Sequence, residues 1–304
     1  MKNDGEADLT RQDLLSSARV AIAGLGLMGG SLAMALRGRC AALLGVDPDP
    51  QIVGIACAKG VVDRASVDPA EIFPQADLVI LAAPVEGILG LLKEMDHLHP
   101  GEAVVFDLGS TKSLVMTAMA SLSERFDPLG GHPICGKEKS SLDYADPGLY
   151  QGAAFVLCTL PRTSARACEL ARQLVGAVGA HPIWLDALIH DRWIASTSHL
   201  PYLLANALVQ VLPVEAALLI GPGFRSASRL AGGFAPMMLD TLQTNRDFVL
   251  EAIQSFRDEL DRLENQLRQG DRLGLQEFLI NSTRQRAFLL QEQSHDSGSV
   301  ERKE

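Results

Sequence analysis

His132 stands in the segment GGHPICGKEKSS, Gly130 to Ser141, at the end of the apolar run Pro128 to Gly131. A neutral imidazole at a strand end can accept a proton from a substrate hydroxyl, so His132 is a candidate general base. Taken alone, a His-Pro pair is more often turn chemistry than catalysis. Two other strand ends bring it company, because ligands of open α/β sheets gather at the carboxyl ends of the strands. The run Ala103 to Phe106 leads into DLGSTK, which places Asp107, Ser110, Thr111 and Lys112 at one such end, and Leu78 to Ala82 leads into Ala83 and Pro84 at another. Ser110 can donate to a substrate or orient His132. It can also cap a helix beginning near Lys112.

Upstream, RVAIAGLGLMGGSLAMAL carries Gly24, Gly26 and Gly29 in G-x-G-x-x-G spacing between an apolar run and a helical stretch. Such spacing marks the first turn of a dinucleotide-binding unit. Gly24 allows the tight turn, Gly26 lets the backbone approach a pyrophosphate, and Gly29 lets helix and strand pack closely. Leu27 and Met28 complete the loop. A second apolar run, Ala41 to Val46, ends at Asp47, about 20 residues past the first glycine, where an acid holds the ribose 2′-hydroxyl and favours NAD over NADP. Ala83 and Pro84 form a small-residue loop suited to backbone contact with the nicotinamide ribose.

A chain of 304 residues, 47% hydrophobic and 21% charged, can bury a substantial core and usually divides into two domains. The net charge of −10 and the lack of a basic run argue against a nucleic-acid partner. An anionic small-molecule substrate must therefore meet local positive charge, for which Lys112, Lys137 and Lys139 are candidates. Cys40, Cys57, Cys135, Cys158 and Cys168 form no C-x-x-C pair, which fits a reducing cytoplasm, and Cys135 reads as packing. The apolar stretch Leu203 to Ile220 is interrupted by Asn206, Gln210, Pro213 and Glu215, so a buried helix broken near Pro213 explains it better than a membrane span. No His or Cys pairing suggests a metal site.

Seven β-rich runs, Val20 to Ala23, Ala41 to Val46, Leu78 to Ala82, Ala103 to Phe106, Pro128 to Gly131, Ala154 to Cys158 and Pro182 to Leu185, alternate with helical segments. This alternation predicts an α/β fold with a mostly parallel sheet. After Asp186 the pattern becomes helical, and Phe248, Val249, Ile253, Phe256, Leu260, Leu263 and Leu267 recur at helical spacing within 248–275. The expected organisation is a polar tail over 1–17, a Rossmann domain over 18–185, an all-helical domain over 186–290 that makes a homodimer contact, and a charged tail over 291–304.

In order along the chain, GLGLMGGS, AAP, DLGSTK, GGHPICGKEKSS, HDR followed by TSHLPY, and GFRSASRLAGG resemble the prephenate/arogenate dehydrogenase family of tyrosine biosynthesis. The resemblance spans Arg19 to about Phe288. It implies a Rossmann domain, a helical dimerisation domain, and NAD-dependent oxidative decarboxylation of prephenate. It also implies that His132 is the catalytic histidine, Ser110 its partner serine, Ser198 a substrate-pocket residue and Arg229 the arginine that binds a substrate carboxylate. His190 and Asp191 match a family dipeptide, read here as a helix start and an interdomain hydrogen bond. His199 reads as a hydrogen-bonding residue inside the helical domain.

This chain departs from the family pattern near the substrate. Tyr202 stands where a histidine is usual, Ser141 replaces a glycine, and Ser226 replaces an acid. Prephenate, arogenate or both are therefore open as substrates, and an amino-substituted relative is a third choice. Two other readings are a β-hydroxyacid dehydrogenase, which calls for a catalytic lysine absent from His199 to Gln210, and a non-catalytic dinucleotide sensor.

Overall fold

The computed structural model describes residues 13–295 apart from Glu138 and Phe234, with side chains as far as Leu290. Residues 1–12 of the expected polar tail and 296–304 of the charged one lie outside the described residues. Asp13 caps a short helix, Leu14–Ser17, in which Leu15 is buried.

β1 (Arg19–Ala23), β2 (Ala42–Val46), β3 (Arg64–Ser66), β4 (Leu78–Leu81), β5 (Ala103–Asp107), β6 (Phe126–Pro133), β7 (Ala154–Thr159) and β8 (His181–Trp184) form one sheet. Their order is β3-β2-β1-β4-β5-β6-β7-β8. β1 to β6 are parallel, β7 runs antiparallel to β6, and β8 is parallel to β7. Parallel neighbours need a crossover, which the helices Leu27–Leu36, Pro50–Ala58, Val85–Leu98 and Ser113–Ala120 supply. Among the described residues between β6 and β7 the only helical element is a 3₁₀ turn, Leu142–Tyr144, and the chain returns antiparallel. Helix Ala165–Ala177 then carries β7 across to β8.

β4 and β5 are buried along their whole length, as expected of strands covered on both faces. Two apolar layers result, one around Ile22, Leu32 and Phe155 and the other around Ala21, Val79 and Val105. β3, the polar tripeptide RAS, is too short to show a pattern in sequence and exists through its pairing with β2.

After β8 the described residues are helical. Ala187–Ile194 continues through a π-helical turn, Ala195–His199, into Leu200–Gln210, and Pro213 caps a separate 3₁₀ segment. Pro222–Ser228 and Ala235–Thr244 follow. By compactness the chain forms two units, one up to Val249 and one from Leu250 onward. The second holds most of helix Arg246–Gln269 and all of Arg272–His295. Gly270, at φ 67°, ends the first of these helices, so the stretch 248–275 spans parts of two helices. Within this unit the Arg262 guanidinium lies 5.2 Å from the Phe278 ring centroid.

Candidate active site

The glycine loop joins β1 to helix Leu27–Leu36. Gly24 sits at φ 94°, and a Cβ there would meet the Ala82 carbonyl oxygen at 2.5 Å. A Cβ on Gly29 would overlap the Gly24 carbonyl oxygen. At Gly26, by contrast, the space a Cβ would take is open, and no side chain caps the helix. An open approach to uncapped helix amides fits a pyrophosphate. Leu27 and Met28 form the first turn, and Tyr150 Oη donates to the Met28 carbonyl at 2.8 Å.

Asp47 follows β2 and braces this loop. Its Oδ2 accepts the Leu25 amide at 2.8 Å and its Oδ1 accepts the Asp49 amide at 3.0 Å. Each oxygen keeps a further lone pair for a ribose hydroxyl. Asp47→Ser should therefore raise the KM for NAD about tenfold or more while narrowing the NAD-to-NADP preference, since the charge that repels a 2′-phosphate is gone. Steady-state kinetics with both coenzymes check this, and unchanged use of NAD would assign the ribose to another residue.

At the end of β5, Asp107 is buried and hydrogen-bonded to the amides of Gly109 and Gly131 at 2.8 and 3.2 Å. Lys112 Nζ pairs with Asp107 and donates to the Gly131 carbonyl at 2.7 Å, with both side chains fully buried. Lys112 thus ties the end of β5 to β6 and does not present its charge to an approaching anion. Lys137 is paired with Asp146 at 3.0 Å, and Lys139 lies 4.6 Å from the Tyr144 ring centroid. Positive steering charge at these lysines was the sequence expectation, and only the latter two are exposed enough to contribute.

His132 lies at the end of β6, next to β5 in the sheet. Its Nδ1 is 2.8 Å from His190 Nε2, and His190 Nδ1 is 2.8 Å from Asp191 Oδ1. Asp191 is buried and accepts the amides of Lys112 and Ser113, both at 2.7 Å. A side chain distant in sequence therefore caps helix Ser113–Ala120, where the sequence offered Ser110 for that task. Burial would raise the Asp191 pKa, but hydrogen bonds from the His190 ring, the Ser113 side chain and these amides hold it below the usual range. Burial, then the neighbouring His190, Lys112 and His199, push His132 well below 6.5, so its ring is neutral near neutral pH.

Ser110 Oγ is 2.8 Å from Thr241 Oγ1, and Thr111 Oγ1 is 2.9 Å from Thr244 Oγ1. Asn245 Nδ2 donates to the Asp191 carbonyl at 2.8 Å and to His199 Nδ1 at 3.2 Å. His199 is buried, and that burial lowers its pKa to about 4. Helix Ala235–Thr244 is in this way bonded to the end of β5, with the Asp240 carboxylate also accepting the Glu86 amide at 3.3 Å. Ala83 is half-buried and Pro84 is exposed, and Pro84 immediately precedes helix Val85–Leu98.

Ser198 is exposed on the π-helical turn, Tyr202 is half-buried in the following helix, and Arg229 is exposed at the start of the 3₁₀ turn Arg229–Gly232. That turn packs against helix Leu200–Gln210. A Cβ on Gly233 would come within 3.4 Å of the Tyr202 ring. Burial raises the Cys135 thiol pKa to about 11, in keeping with a packing role. Among the described residues no group of three His, Cys, Asp or Glu is placed to hold a metal ion, and no helix is long and apolar enough to cross a membrane.

Around Ser110, Thr111 and Asp191 the structure adds Thr241, Thr244 and Asn245, which no sequence motif marks. Thr241 and Asn245 lie four apart in LDTLQTNRD, a polar pair on one helical face, and that spacing was the available signal.

A Rossmann sheet with an open glycine cradle, and a neutral histidine at a neighbouring strand end, defines a dinucleotide-dependent dehydrogenase. The chain belongs to the prephenate dehydrogenase family: its nucleotide-binding domain model matches residues 32–184 and its dimerization domain model matches 186–281. The chain is 30% identical over 263 residues to the prephenate dehydrogenase of Bacillus subtilis, covering 83% of this chain and 71% of that protein. The crystal structure of the Aquifex aeolicus prephenate dehydrogenase with hydroxyphenyl propionate and NAD+ has a TM-score of 0.83 at 28% identity, covering 91% of this chain and 99% of that one. Synechocystis arogenate dehydrogenase has a TM-score of 0.79 at 26% identity, covering 89% and 99%.

Proposed function

We propose that this protein catalyses the NAD-dependent oxidative decarboxylation of prephenate to 4-hydroxyphenylpyruvate, a step of tyrosine biosynthesis. The observation that carries this reading is the neutral His132 ring at the end of β6, in a sheet whose first turn suits a dinucleotide. NAD would be held by the loop Gly24 to Gly29, by Asp47 and by Ala83 and Pro84, and would supply the hydride acceptor. His132 accepts the proton of the ring hydroxyl as the C–H bond on the same carbon gives up its hydride. The ring carboxylate then leaves as carbon dioxide, its electron pair completes the aromatic ring, and the proton returns from His132 to the phenolate oxygen. The proton is borrowed, so the base must be neutral at the start and cationic only briefly. We assign to Ser110, whose Oγ lies 2.8 Å from Thr241 Oγ1, the holding of the same substrate oxygen.

Ser198, Tyr202 and Arg229 form the proposed substrate pocket. Arg229 presents paired N–H donors to the ring carboxylate, a geometry lysine does not reproduce. Arg229→Ala should raise the substrate KM about 10- to 100-fold, the worth of a charge-assisted hydrogen bond, with kcat much less affected. Kinetics on the purified variant check this, and an unchanged KM would remove Arg229 from the pocket.

Tyr202, in place of the family's usual histidine, and the likeness to an arogenate dehydrogenase support a second reading in which arogenate is accepted. NADH formation with prephenate and with arogenate, each with NAD and NADP, decides between them. Turnover with neither would return weight to the amino-substituted substrate or the sensor. The division between domains at 185/186 is proposed on the same family boundaries. We place the homodimer contact in the helical part, supported by the matched dimerization model and by exposed Leu260, Leu267, Leu279 and Phe288. Sedimentation checks it, and a monomer would refute it. A cytoplasmic location rests on five cysteines without a disulfide, and fractionation tests it.

A further inference from the structure

With both rings neutral, the donors and acceptors around His132 leave one consistent arrangement. The Asp191 carboxylate can only accept, so the proton of a neutral His190 ring sits on Nδ1, which faces Asp191 Oδ1 at 2.8 Å. His190 Nε2 is then an acceptor, and its neighbour 2.8 Å away, His132 Nδ1, must be the donor. With its proton on Nδ1, the neutral His132 ring has a free lone pair on Nε2. We propose that His190 and Asp191 are positioning residues that lock His132 in this tautomer, so that Nε2 is the atom that takes the substrate proton. The proposal rests on the reading of His132 as the base and deepens it.

Three further observations support the lock. Asp191 is anchored by two backbone amides at the start of helix Ser113–Ala120, which cannot exchange donor for acceptor, and Asn245 holds its carbonyl. His190 is 2% exposed, so it does not touch substrate and acts only through His132. The two rings meet edge to face at 76°, with centroids 5.1 Å apart, which fixes the plane of His132 as well as its proton. When Nε2 takes the substrate proton, the resulting imidazolium keeps its Nδ1–H bonded to His190, whose own proton faces a carboxylate. The positive charge thus forms at the head of a chain that ends on an anion.

Without an acceptor at Nδ1, a neutral imidazole favours the Nε2–H form, which occupies the basic site. His190→Ala should therefore shift His132 toward Nε2–H and lower kcat about 10- to 100-fold, with the substrate KM and NAD affinity unchanged. His190→Gln places an amide oxygen near the former Nε2 position and should restore the Nδ1–H tautomer and most of the rate. The experiment is 15N NMR of the imidazole nitrogens in full-length histidine-labelled protein, with His132 assigned by its loss in His132→Asn, beside kinetics on the three proteins. A wild-type His132 protonated at Nδ1, switching in His190→Ala and returning in His190→Gln, supports the lock. A wild-type ring protonated at Nε2, or a tautomer and kcat that ignore His190→Ala, overturns it. The NMR arm needs no substrate. Failure of the assigned reaction would therefore appear as an inactive wild type, separate from the tautomer result.

Discussion

Replacing His132 with asparagine should lower kcat about 100- to 10,000-fold, the usual contribution of a positioned general base. The asparagine amide keeps a donor near the Nδ1 position, facing His190, but has no atom where Nε2 lies. The loss is therefore expected in turnover, with NAD affinity intact because the glycine loop is untouched. The pH dependence carries the same signature. A base must be neutral, and burial followed by the nearby His190, Lys112 and His199 holds the His132 pKa well below 6.5. In the wild type, kcat should stay level as pH falls through 6.5 and decline only when the lower pKa is crossed. Near-normal turnover in His132→Asn would sink the assignment, and an acid limb centred at or above 6.5 would mean that another group limits the rate.

Lys112→Met should cost about 3–5 kcal/mol of stability, because it leaves the buried Asp107 carboxylate without its counter-charge. Burial already raises the Asp107 pKa, and Lys112 is the main influence opposing that shift. In the variant the folded pKa rises further above the unfolded one. A raised carboxyl destabilises the fold at pH values above its unfolded pKa, and protonation relieves the penalty as pH falls. The deficit in Tm against wild type should thus be large near neutrality and shrink in acid. Thermal unfolding across pH measures it, and a variant as stable as the wild type near neutrality would show that Asp107 is satisfied without Lys112. Because Lys112 also donates to the Gly131 carbonyl, next to His132, activity should fall with stability.

The amino-acid sequence by itself determined the parts of this protein that depend on local pattern. Seven apolar runs became strands, and β4 and β5 show why most clearly: fully covered parallel strands read as continuous hydrophobic segments, visible without knowledge of their neighbours. Gly24 and Gly29 were legible because their constraints, a left-handed turn and a close helix approach, are met by one residue type. His132 and Ser110 were legible as strand-end residues, since open sheets put ligands there. The short β3 and the break at Gly270 were not. A tripeptide becomes a strand only by pairing, and a lone glycine in a long amphipathic pattern looks the same whether it ends a helix or lies within one. Tertiary structure alone decided the polar arrangement. Lys112 in DLGSTK looked like a steering charge, yet the approach of β5 to β6 buried it against Asp107. His190 and Asp191 read as a helix start and an interdomain hydrogen bond, but the partner was not legible: they lie 58 residues or more from His132 in the chain and meet it only because β6 and helix Ala187–Ile194 converge. Hydrogen bonds depend on distance and direction to a particular atom, so a partner outside the local window has no sequence signature. Which proton His132 carries was therefore decided by the fold.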